Sequence, residues 1–555
     1  MIPTKPILFI KKSVLKNTTT ISALQMPINC DPSFTEAKKE CSCHRCRRFF
    51  NQDEVCGDRM ETYLRWMKKV GLDEKQHQLQ GIKWCLYQEL CHNPQANVRG
   101  GIIADEMGLG KTILMLACIR CNFKPNTLVV LPPALVDQWV GIFERFLGHT
   151  PFVFRGQKAK KITIEELSKK PIVVTTYGMI TTRYDKEKQP IVNKLSKVEW
   201  NRTIYDEAHH VRNLKTSVHE GACKIKSTIT WMVTGTPINN RMTDLYALCK
   251  VMGLHKAMTK NKEEIKKLLG IFLLRRTKKQ VGIKLPPVKE HRICVNWETP
   301  EELDLAMDVH STLHFTSVNK DNVNGLISWL NRHPLPALTR ARQMCIYPQL
   351  LHKAVNKLKK QGIVPQDMNL KEITNSSKIN AIVNLLTSTK HNGRRKLVFS
   401  HYRGEIDILQ QRLQDNGIIC QCVDGRTKNR ERKFAISHPP TLGEFSNVCK
   451  KWNKVPVHLF NIINEYLAPE VMIVQIQTAC EGLNMQHFKD IFFTSPHWNP
   501  AVEDQAIARA HRIGQDREIN VYKFVMSGFG RKTISFEQYC CMIQDVKRDI
   551  MKILD

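Results

Sequence analysis

Two blocks of the sequence alternate short β-rich apolar runs with stretches of helical spacing, and this pattern limits the possible folds more than any other feature. The runs are 128–131, 172–176, 203–205 and 231–234 in the first block, and 397–400, 472–477, 491–494 and 521–524 in the second. Strands that alternate with helices form βαβ units, whose strands lie parallel in one sheet. The sequence therefore predicts two α/β units with parallel sheets.

Five segments are expected along the 555 residues. They are an N-terminal appendage (1–70), a first lobe (71–253), a helical region between the lobes (254–375), a second lobe (376–535) and a C-terminal helix or tail (536–555). The β-rich runs disappear between 254 and 375, where prolines interrupt long mixed stretches of apolar and charged residues. The stretch 437–470 is expected to be a helical insertion in the second lobe.

The charge of the chain favours a polyanionic partner. Lys and Arg total 84 against 52 Asp and Glu, a formal charge of +32, and a field of this sign concentrates polyanions. The basic residues form several patches rather than one tail, which suits a groove that neutralises nucleic-acid phosphates. A basic but merely solvated surface is the alternative explanation.

Composition and cysteine usage predict an intracellular protein. Hydrophobic residues make up 42% and charged residues 25%, as in ordinary globular proteins. No run approaches the ~18 apolar residues that span a bilayer, and no signal peptide is recognisable, so no membrane partner is expected. The odd count of 19 cysteines favours reduced thiols over a disulfide framework.

A glycine-rich segment before a helix predicts a phosphate-binding loop. Gly108 and Gly110 let backbone N–H groups approach phosphate oxygens, and the following helix begins at Lys111. Lys111 would reach the β and γ phosphates, and the Thr112 hydroxyl would bind Mg²⁺. The generic pattern has glycine where this chain has Asp105, and a glycine-rich turn without catalytic meaning is the alternative.

Two adjacent carboxylates, Asp206 and Glu207, follow the run 203–205. Open α/β sheets bind ligands at the carboxyl ends of their strands. Asp206 would hold Mg²⁺, and Glu207 would orient the water that attacks the γ-phosphoryl group. A solvated turn or a helix cap is the alternative, which the βαβ context disfavours.

Together these motifs resemble the superfamily two helicases and, within them, the Swi/Snf-type DNA translocases, in order from about Leu72 to Phe524. The segment 105–112 resembles the family's own nucleotide loop, which has Asp at its first position, and 206–213 resembles its extended DEAH box. The resemblance implies two RecA-like lobes that bind ATP and Mg²⁺. It implies nucleotide contacts by Gln78, Asp105, Glu106, Met107, Gly108, Leu109, Gly110, Lys111, Thr112, Gly482 and Gln505.

The resemblance also implies coupling and nucleic-acid residues. The residues expected to couple hydrolysis to lobe movement are Thr234, Gly235, Thr236 and Pro237. Candidate nucleic-acid contacts are Pro132, Trp139, Thr175, Tyr177, Ser400 and Trp498. The segments 274–278 and 342–348 are similar to the family's markers between the lobes.

Arg509 and Arg512 are the candidate arginine fingers of the second lobe. They stand one helical turn apart in sequence, which places them on one face of a helix. Guanidinium groups that reach the ATP can stabilise transition-state charge. Hydrolysis would then require lobe closure, and reopening would move the bound duplex. A basic surface helix is the alternative.

Three features depart from the family pattern. Only Gly482 remains where the family has adjacent glycines, which puts coupling efficiency in question. The sequence of 498–506 favours the post-replication-repair branch of the family, whose members often carry a RING module between the lobes. The segment 279–375 holds only two cysteines, which are too few for such a module. Cys41, Cys43, Cys46 and Cys56 form one crowded half of a zinc pattern, so free thiols are expected, with a zinc site as the alternative.

The resulting prediction is an ATP hydrolase stimulated by double-stranded DNA, which acts as a monomer on DNA and remodels or displaces DNA-bound proteins in transcription, repair or replication. Chromatin, transcription or repair proteins are the expected partners, in the nucleus or, for a viral protein, in the host nucleus or virus factory. The first alternative is a helicase that separates the strands of DNA or RNA. The second is a scaffold that binds nucleic acid without hydrolysing ATP.

Overall fold

The computed structural model describes two compact units. The described residues are 44–91, 98–185, 187, 189–191, 193–237, 242–254, 269–311, 313, 335–360, 373–390, 392–418, 420–427, 470–479, 485–530 and 533–552. Those up to Lys284 form the first unit, and those from Leu285 to Ile550 form the second. The predicted division into five segments stays a prediction.

The first unit is built on a seven-stranded sheet in which every paired strand is parallel. Its strands are β1 (Arg99–Ile103), β2 (Thr127–Leu131), β3 (Phe152–Val153), β4 (Ile172–Thr176), β7 (Glu199–Asp206), β8 (Lys226–Val233) and β9 (Leu273–Leu274). Their order is β3-β4-β2-β7-β8-β1-β9, and β5 (Arg183–Tyr184) and β6 (Pro190–Ile191) form a separate antiparallel pair.

Helices cover both faces of this sheet. They are His44–Val70, Gln76–Leu90, Lys111–Cys121, Val136–Leu147, Gly156–Lys161, Ile164–Ser168, Tyr177–Ile180, Lys194–Lys197, Ser217–Lys224 and Met242–Val251, with 3-10 turns at Pro133–Leu135 and Ala208–Val211. Successive residues of β2 enter different hydrophobic clusters, Leu128 on one face and Val129 on the other. A sheet buried on both faces needs strands that are mostly apolar, and β2 and β4 are buried at every residue and apolar except for Thr127, Thr175 and Thr176.

The second unit repeats the architecture with six parallel strands. They are β10 (Val288–Val295), β11 (Arg395–Ser400), β12 (Cys420–Val423), β13 (Val471–Gln475), β14 (Phe488–Phe493) and β15 (Ile519–Met526), in the order β10-β15-β14-β11-β13-β12. Its helices are Pro300–Ser311, Leu335–Ile346, Gln349–Lys360, Ser377–Ser388, Arg403–Asp415, Ile476–Ala479, Pro500–Ala510 and Phe536–Lys552. The predicted fold class, two α/β units with parallel sheets, is confirmed.

The structure differs from the sequence prediction within 254–375, where the β-rich runs were expected to disappear. β9 pairs with β1, and β10 pairs with β15. Both are edge strands, and the residues Lys289 to Arg292 of β10 are exposed. Edge strands carry polar residues on their open sides, so β10 lacks the apolar pattern by which buried strands are recognised. The predicted insertion at 437–470 lies outside the described residues, apart from Glu470.

None of the helices in the described ranges combines the length and the apolar character that a membrane crossing requires.

Candidate nucleotide-binding site

The carboxyl ends of three neighbouring strands bring the predicted nucleotide motifs together. Ile103 at the end of β1 pairs with Val233 of β8, and Val233 pairs with Asp206 of β7. The N–H of Thr234 also donates to the carbonyl of Ile103 at 3.0 Å. The phosphate-binding loop, the coupling segment and the acidic pair therefore leave the sheet side by side, where open α/β sheets bind ligands.

The loop after β1 has the backbone conformation that phosphate binding requires. Gly108 and Gly110 have φ values of +92° and +85°, a region that residues with a Cβ rarely adopt. Gly110 caps the helix Lys111–Cys121, whose N-terminal N–H groups and dipole face the loop. A Cβ on Gly110 would lie 2.5 Å from Nε2 of Gln78, so this predicted nucleotide-binding residue lies against the loop.

The side chain of Lys111 folds back over the loop. Its Nζ donates to the carbonyl of Asp105 at 2.7 Å and to that of Glu106 at 3.4 Å. A Cβ on Gly235 would lie 3.1 Å from the Met107 side chain and 3.6 Å from this Nζ. The coupling segment therefore packs directly against the phosphate-binding loop.

Arg276 anchors the loop, a role that the sequence did not predict. Its guanidinium binds the carboxylate of Asp105, with Nε 3.1 Å from Oδ1 and a second bond to Oδ2, and also donates to the carbonyl of His77. The Asp105 side chain is fully buried. Nearby, the N–H of Lys278 donates to Glu106 at 2.7 Å, and Lys278 Nζ lies 3.2 Å from the same carboxylate. The signal was present as two acidic residues in the loop and a basic run at 275–279.

Asp206 is fixed by two aromatic side chains. The indole Nε1 of Trp139 donates to Oδ2 of Asp206 at 2.8 Å, and the Tyr177 hydroxyl donates to its carbonyl at 2.7 Å. The N–H of Glu207 donates to Oδ1 at 3.0 Å. One hydrogen bond to each carboxylate oxygen therefore fixes the orientation of the group, and each oxygen keeps a lone pair for a cation.

Glu207 has a backbone conformation that non-glycine residues avoid, with φ of +52°. Such strain costs on the order of 1–3 kcal/mol and is found mostly at functional sites. Oε2 of Glu207 lies 3.3 Å from Nδ1 of His209, whose ring stacks on His210, and His210 stacks on Tyr177. The turn thus directs the second carboxylate away from the strand and towards the histidines.

The electrostatics of the acidic pair fit a divalent cation. Burial, followed by repulsion from Glu207, raises the pKa of Asp206 to about 6, against the hydrogen bond from Trp139 and the charge of Lys111. A bound cation would relieve this repulsion, and Mg²⁺ prefers oxygen donors such as Asp206 and Thr112. Within the described residues no group of three or more His, Cys, Asp or Glu is arranged to hold a metal by itself.

Most of the predicted nucleic-acid contacts are buried in their own units. Pro132, Trp139, Thr175, Tyr177 and Ser400 are buried. Thr175 donates to the carbonyl of Phe154 at 3.0 Å. In the structure Trp139 and Tyr177 hold Asp206, a supporting role that the sequence did not predict.

Trp498, the remaining predicted contact, lies in the second unit. Its ring stacks on Phe536 at a centroid distance of 6.2 Å, and Lys547 Nζ lies 5.4 Å from the ring centroid. It therefore helps to hold the helix Phe536–Lys552 against the sheet.

The candidate arginine fingers lie at the end of a helix in the second unit. The helix Pro500–Ala510 contains Arg509 but ends before Arg512, so the expectation that both lie on one helical face is corrected. Gly514 turns the chain with φ of +98°. Burial, and then the charge of Arg509, lowers the pKa of Arg512. Gln505 is buried in the same helix, and Gly482 lies outside the described residues.

The weak zinc pattern falls largely outside the described residues. This holds for Cys41 and Cys43, and of Cys46 only its place in the helix His44–Val70 is described. Cys56 is a buried free thiol, with Sγ 3.7 Å from the carbonyl of Lys83. Burial raises its pKa to about 11, and whether the four cysteines bind zinc stays a prediction.

A phosphate-binding loop and an acidic pair at the carboxyl edge of a parallel sheet define the first unit as a P-loop nucleotide-binding domain. Residues 77–262 match the family model described as SNF2-related domain. The chain therefore contains an SNF2-related domain, and the resemblance to the Swi/Snf family that the motifs predict is confirmed.

Curated relatives agree with this assignment. A Mycoplasma genitalium protein described as an uncharacterized ATP-dependent helicase is 26% identical over 86% of this chain and 42% of its own length. The zebrafish DNA excision repair protein ERCC-6-like is 26% identical over 81% of this chain and 34% of its own length. A probable global transactivator of Orgyia pseudotsugata multicapsid polyhedrosis virus is 25% identical over 85% of this chain and 89% of its own length. The chain thus spans well under half the length of the first two relatives.

A solved chain, the Sulfolobus solfataricus SWI2/SNF2 ATPase core in complex with dsDNA, is 21% identical over 86% of this chain and 92% of that chain, with a TM-score of 0.35. Because this TM-score is low, the fold is assigned from the strand pairing of this chain alone.

Proposed function

We propose that this chain is an ATPase stimulated by double-stranded DNA, which moves along the duplex and remodels or displaces bound proteins in transcription, repair or replication. The observation that carries the proposal is the alignment of the Lys111 loop, the segment 234–237 and the pair Asp206–Glu207 on three adjacent strands. The relatives named as ATP-dependent helicases and as a DNA repair protein support it.

Each group of the site has a distinct task in phosphoryl transfer. Lys111 would bind the β and γ phosphates, and Glu207 would orient the attacking water. Thr112 and Asp206 would hold Mg²⁺, which neutralises charge on the phosphate oxygens when bound. Arg509 and Arg512 would stabilise the transition-state charge, since arginine fingers supply such charge in related ATPases.

The charge of the chain supports double-stranded DNA as the partner along which the protein moves. With a formal charge of +32, binding to phosphates releases counterions, and such binding weakens steeply as salt rises. Phosphate contacts carry no sequence information, so low sequence specificity is expected. Relatives named as chromatin regulators and as a viral transactivator support a nuclear or virus-factory location for this activity.

The substrate class is tested by ATP turnover with four additions: no nucleic acid, single-stranded DNA, duplex DNA and duplex RNA. The proposal expects a selective rise with duplex DNA. An equal or larger rise with single strands or with duplex RNA would contradict it.

The nucleotide site is tested by replacing its lysine. Lys111→Ala should abolish turnover, because the phosphates lose their cation, while salt-sensitive binding to duplex DNA persists. Lys226→Ala, at an exposed lysine of the same unit, is the matched control and should keep both properties. Equal turnover by wild type and Lys111→Ala would reject the site assignment.

Translocation is separated from unwinding by two displacement assays. The proposed translocase should displace a triplex-forming strand from a duplex in the presence of ATP. Robust unwinding of a forked duplex without triplex displacement would favour the strand-separating helicase instead. A protein that binds duplex DNA but shows no turnover under any condition would favour the scaffold.

A further inference from the structure

A groove of about 1140 Å³ opens on the first unit at the end of the sheet opposite the nucleotide loop. Its walls come from the helix His44–Val70, from the C-terminal ends of the helices Lys111–Cys121 and Val136–Leu147, and from the start of β4. Because the helix that begins at Lys111 contributes its last turn, the groove lies roughly 15 Å along that helix from the phosphate-binding loop. The proposed ATP chemistry therefore does not use it.

The rim of the groove carries four exposed cations. Arg65 and Lys69 project from one helix, and Arg120 and Arg145 come from the ends of two others. His149 completes the polar lining, and no Asp or Glu is among the lining residues. The exposed carboxylate of Glu61 lies 3.5 Å from Arg65 and offsets part of its charge, but the four cations together still attract an anionic ligand.

The floor of the groove is apolar, so the anionic ligand should also carry an apolar group. Phe123 is 59% exposed, a large apolar side chain open to solvent beside Arg120. Trp66 and Phe146 also line the groove, and the indole Nε1 of Trp66 donates to the carbonyl of Phe146 at 2.9 Å. This hydrogen bond satisfies the indole N–H, and together with Phe123, Val70 and Ile119 the groove offers apolar contacts that suit an aromatic or aliphatic side chain.

The occupant is a peptide rather than a nucleic acid. A duplex presents phosphates on its outside and keeps its bases stacked, so it offers no protruding apolar group for the floor. An acidic peptide with an apolar residue supplies carboxylates for the cationic rim and a side chain for the apolar floor. Protein interfaces commonly combine a buried apolar anchor with a polar or charged rim. The chain's own segment 1–43 has the wrong charge, with six lysines against three carboxylates.

We propose that this groove docks an acidic segment of a partner protein, with an aromatic or aliphatic side chain on Phe123 and carboxylates on Arg65, Lys69, Arg120 and Arg145. It gives the motor a protein attachment point at the edge of the sheet opposite the nucleotide loop. The proposal does not depend on ATP hydrolysis, because docking needs neither the nucleotide loop nor the acidic pair.

The test is a fluorescence-anisotropy titration of the full chain, without ATP, against a labelled peptide Glu-Asp-Glu-Phe-Glu-Asp-Leu-Glu-Asp. Wild type should bind this probe in a salt-sensitive manner. Reversing two rim charges, in Arg120→Glu with Arg145→Glu, should weaken binding at least about tenfold, because like charges then face the peptide. Phe123→Ala should weaken binding about fivefold, and a peptide with serine in place of both apolar residues should show the same loss.

The matched control is Lys160→Glu with Lys161→Glu. These exposed lysines belong to the same unit but do not line the groove, and they carry the same change of charge. Binding within about twofold of wild type is expected, since the remaining effect is long-range and screened. All substituted side chains are exposed, so thermal unfolding should be unchanged in every variant.

Three results would overturn the proposal. The first is no binding of the probe by wild type, and the second is an equal loss in the groove and control variants. The third is a groove variant that loses affinity for duplex DNA while its affinity for the peptide is unchanged, which would make the groove a nucleic-acid surface. A chain that fails the ATPase test but binds the probe as described leaves this proposal intact.

Discussion

Among the single residues of the nucleotide loop, Asp105 depends most on a partner elsewhere in the chain. Its carboxylate is fully buried, whereas Arg276, which neutralises it, keeps 13% of its side chain exposed. A buried charge that loses its partner costs about 3–5 kcal/mol. Arg276 also fills the space beside Gly81, where a Cβ would lie 2.8 Å from its Nη2. The arginine therefore joins the loop to the helix Gln76–Leu90 that carries Gln78.

Arg276→Met should destabilise the first unit by about 3–5 kcal/mol, because it leaves Asp105 charged and buried. Urea unfolding measures the loss. Adding Asp105→Asn should recover part of the stability, since the uncompensated charge is then gone. Lys226→Met is the matched control, because its ion pair with Glu199 is 3.8 Å long and exposed and is worth about 0–1 kcal/mol. Equal losses in the two single variants would contradict the role of the buried pair.

Trp139 lies behind the acidic pair and sets the position of Asp206. Trp139→Phe keeps an aromatic ring against Phe143 but removes the donor to Oδ2. Charged hydrogen bonds are worth about 1.5–3 kcal/mol, so under the proposed function turnover should fall roughly tenfold to a hundredfold. The Mg²⁺ concentration for half-maximal turnover should rise as well.

Trp200→Phe separates this effect from a general loss of packing. Trp200 is also buried in the first unit, but its indole donates to the carbonyl of Leu195 at 2.9 Å, outside the nucleotide site. Its replacement should lower stability without changing the Mg²⁺ dependence. If both variants shift the Mg²⁺ dependence alike, Trp139 does not position Asp206.

At the scale of elements, the turn between β1 and the helix Lys111–Cys121 decides whether nucleotide can bind. Gly110→Ala should weaken nucleotide binding, because a Cβ there requires a strained φ and displaces the amide end of the Gln78 side chain, a predicted nucleotide contact. Gly148→Ala is the matched control: Gly148 ends the helix Val136–Leu147 with φ of +64°, and a Cβ there meets nothing within 4 Å. Both variants should lose about 1 kcal/mol of stability, but only Gly110→Ala should lose affinity for a fluorescent ATP analogue. Normal nucleotide affinity in Gly110→Ala would contradict the assigned loop.

Elements that are buried on both faces could be predicted from the sequence, whereas edge and boundary elements could not. β2 and β4 are mostly apolar and buried at every residue because helices cover both of their faces, and the sequence predicted both. β10 is polar because one side of it is an open edge, so its pairing with β15 depends on distant residues. The end of the helix at Ala510 was also missed, since the run 505–512 has no proline, and the positive φ of Gly514 becomes visible only in three dimensions.

The candidate site shows the same division. The loop glycines, Lys111 and the acidic pair could be predicted because phosphate chemistry demands those residues at fixed spacing. The partners of Asp105 and Asp206 could not, because Arg276 and Trp139 are 171 and 67 residues away along the chain. A local sequence pattern therefore indicates the residues that bind the ligand directly. The distant residues that hold them in place depend on how the strands are ordered in the sheet.

At the scale of the whole molecule, each unit has its own two-sided core. In the second unit Val398 and Phe492 belong to one hydrophobic cluster, and Leu397 and Phe493 to another. The buried His310 and the half-buried His497 accompany this core, and their protonation links its stability to pH. Burial lowers the pKa of His310 to about 4, and burial together with the charge of Arg342 lowers that of His497 to about 4.

The second unit should lose stability as pH falls from about 6.5 to about 4. Unfolded histidines titrate near 6.5, so within this interval the unfolded chain binds protons that the folded unit excludes, and stability rises with pH. Each histidine contributes about 1.4 kcal/mol per pH unit. Burial lowers the pKa of His401 as well, which acts in the same direction. Burial raises the pKa values of Glu302, Glu405 and Asp504, which acts in the opposite direction, so the histidine contribution is measured by the difference between wild type and the variants below.

Hydrogen exchange of peptides from the second unit measures this dependence without interference from the first unit, where the raised pKa of Asp206 acts in the opposite direction. His310→Gln with His497→Gln should flatten the dependence by up to about 2.7 kcal/mol per pH unit. His291→Gln, at an exposed histidine of β10, is the control and should leave the slope as in wild type. An unchanged slope in the double variant would show that other groups govern the acid sensitivity of this core.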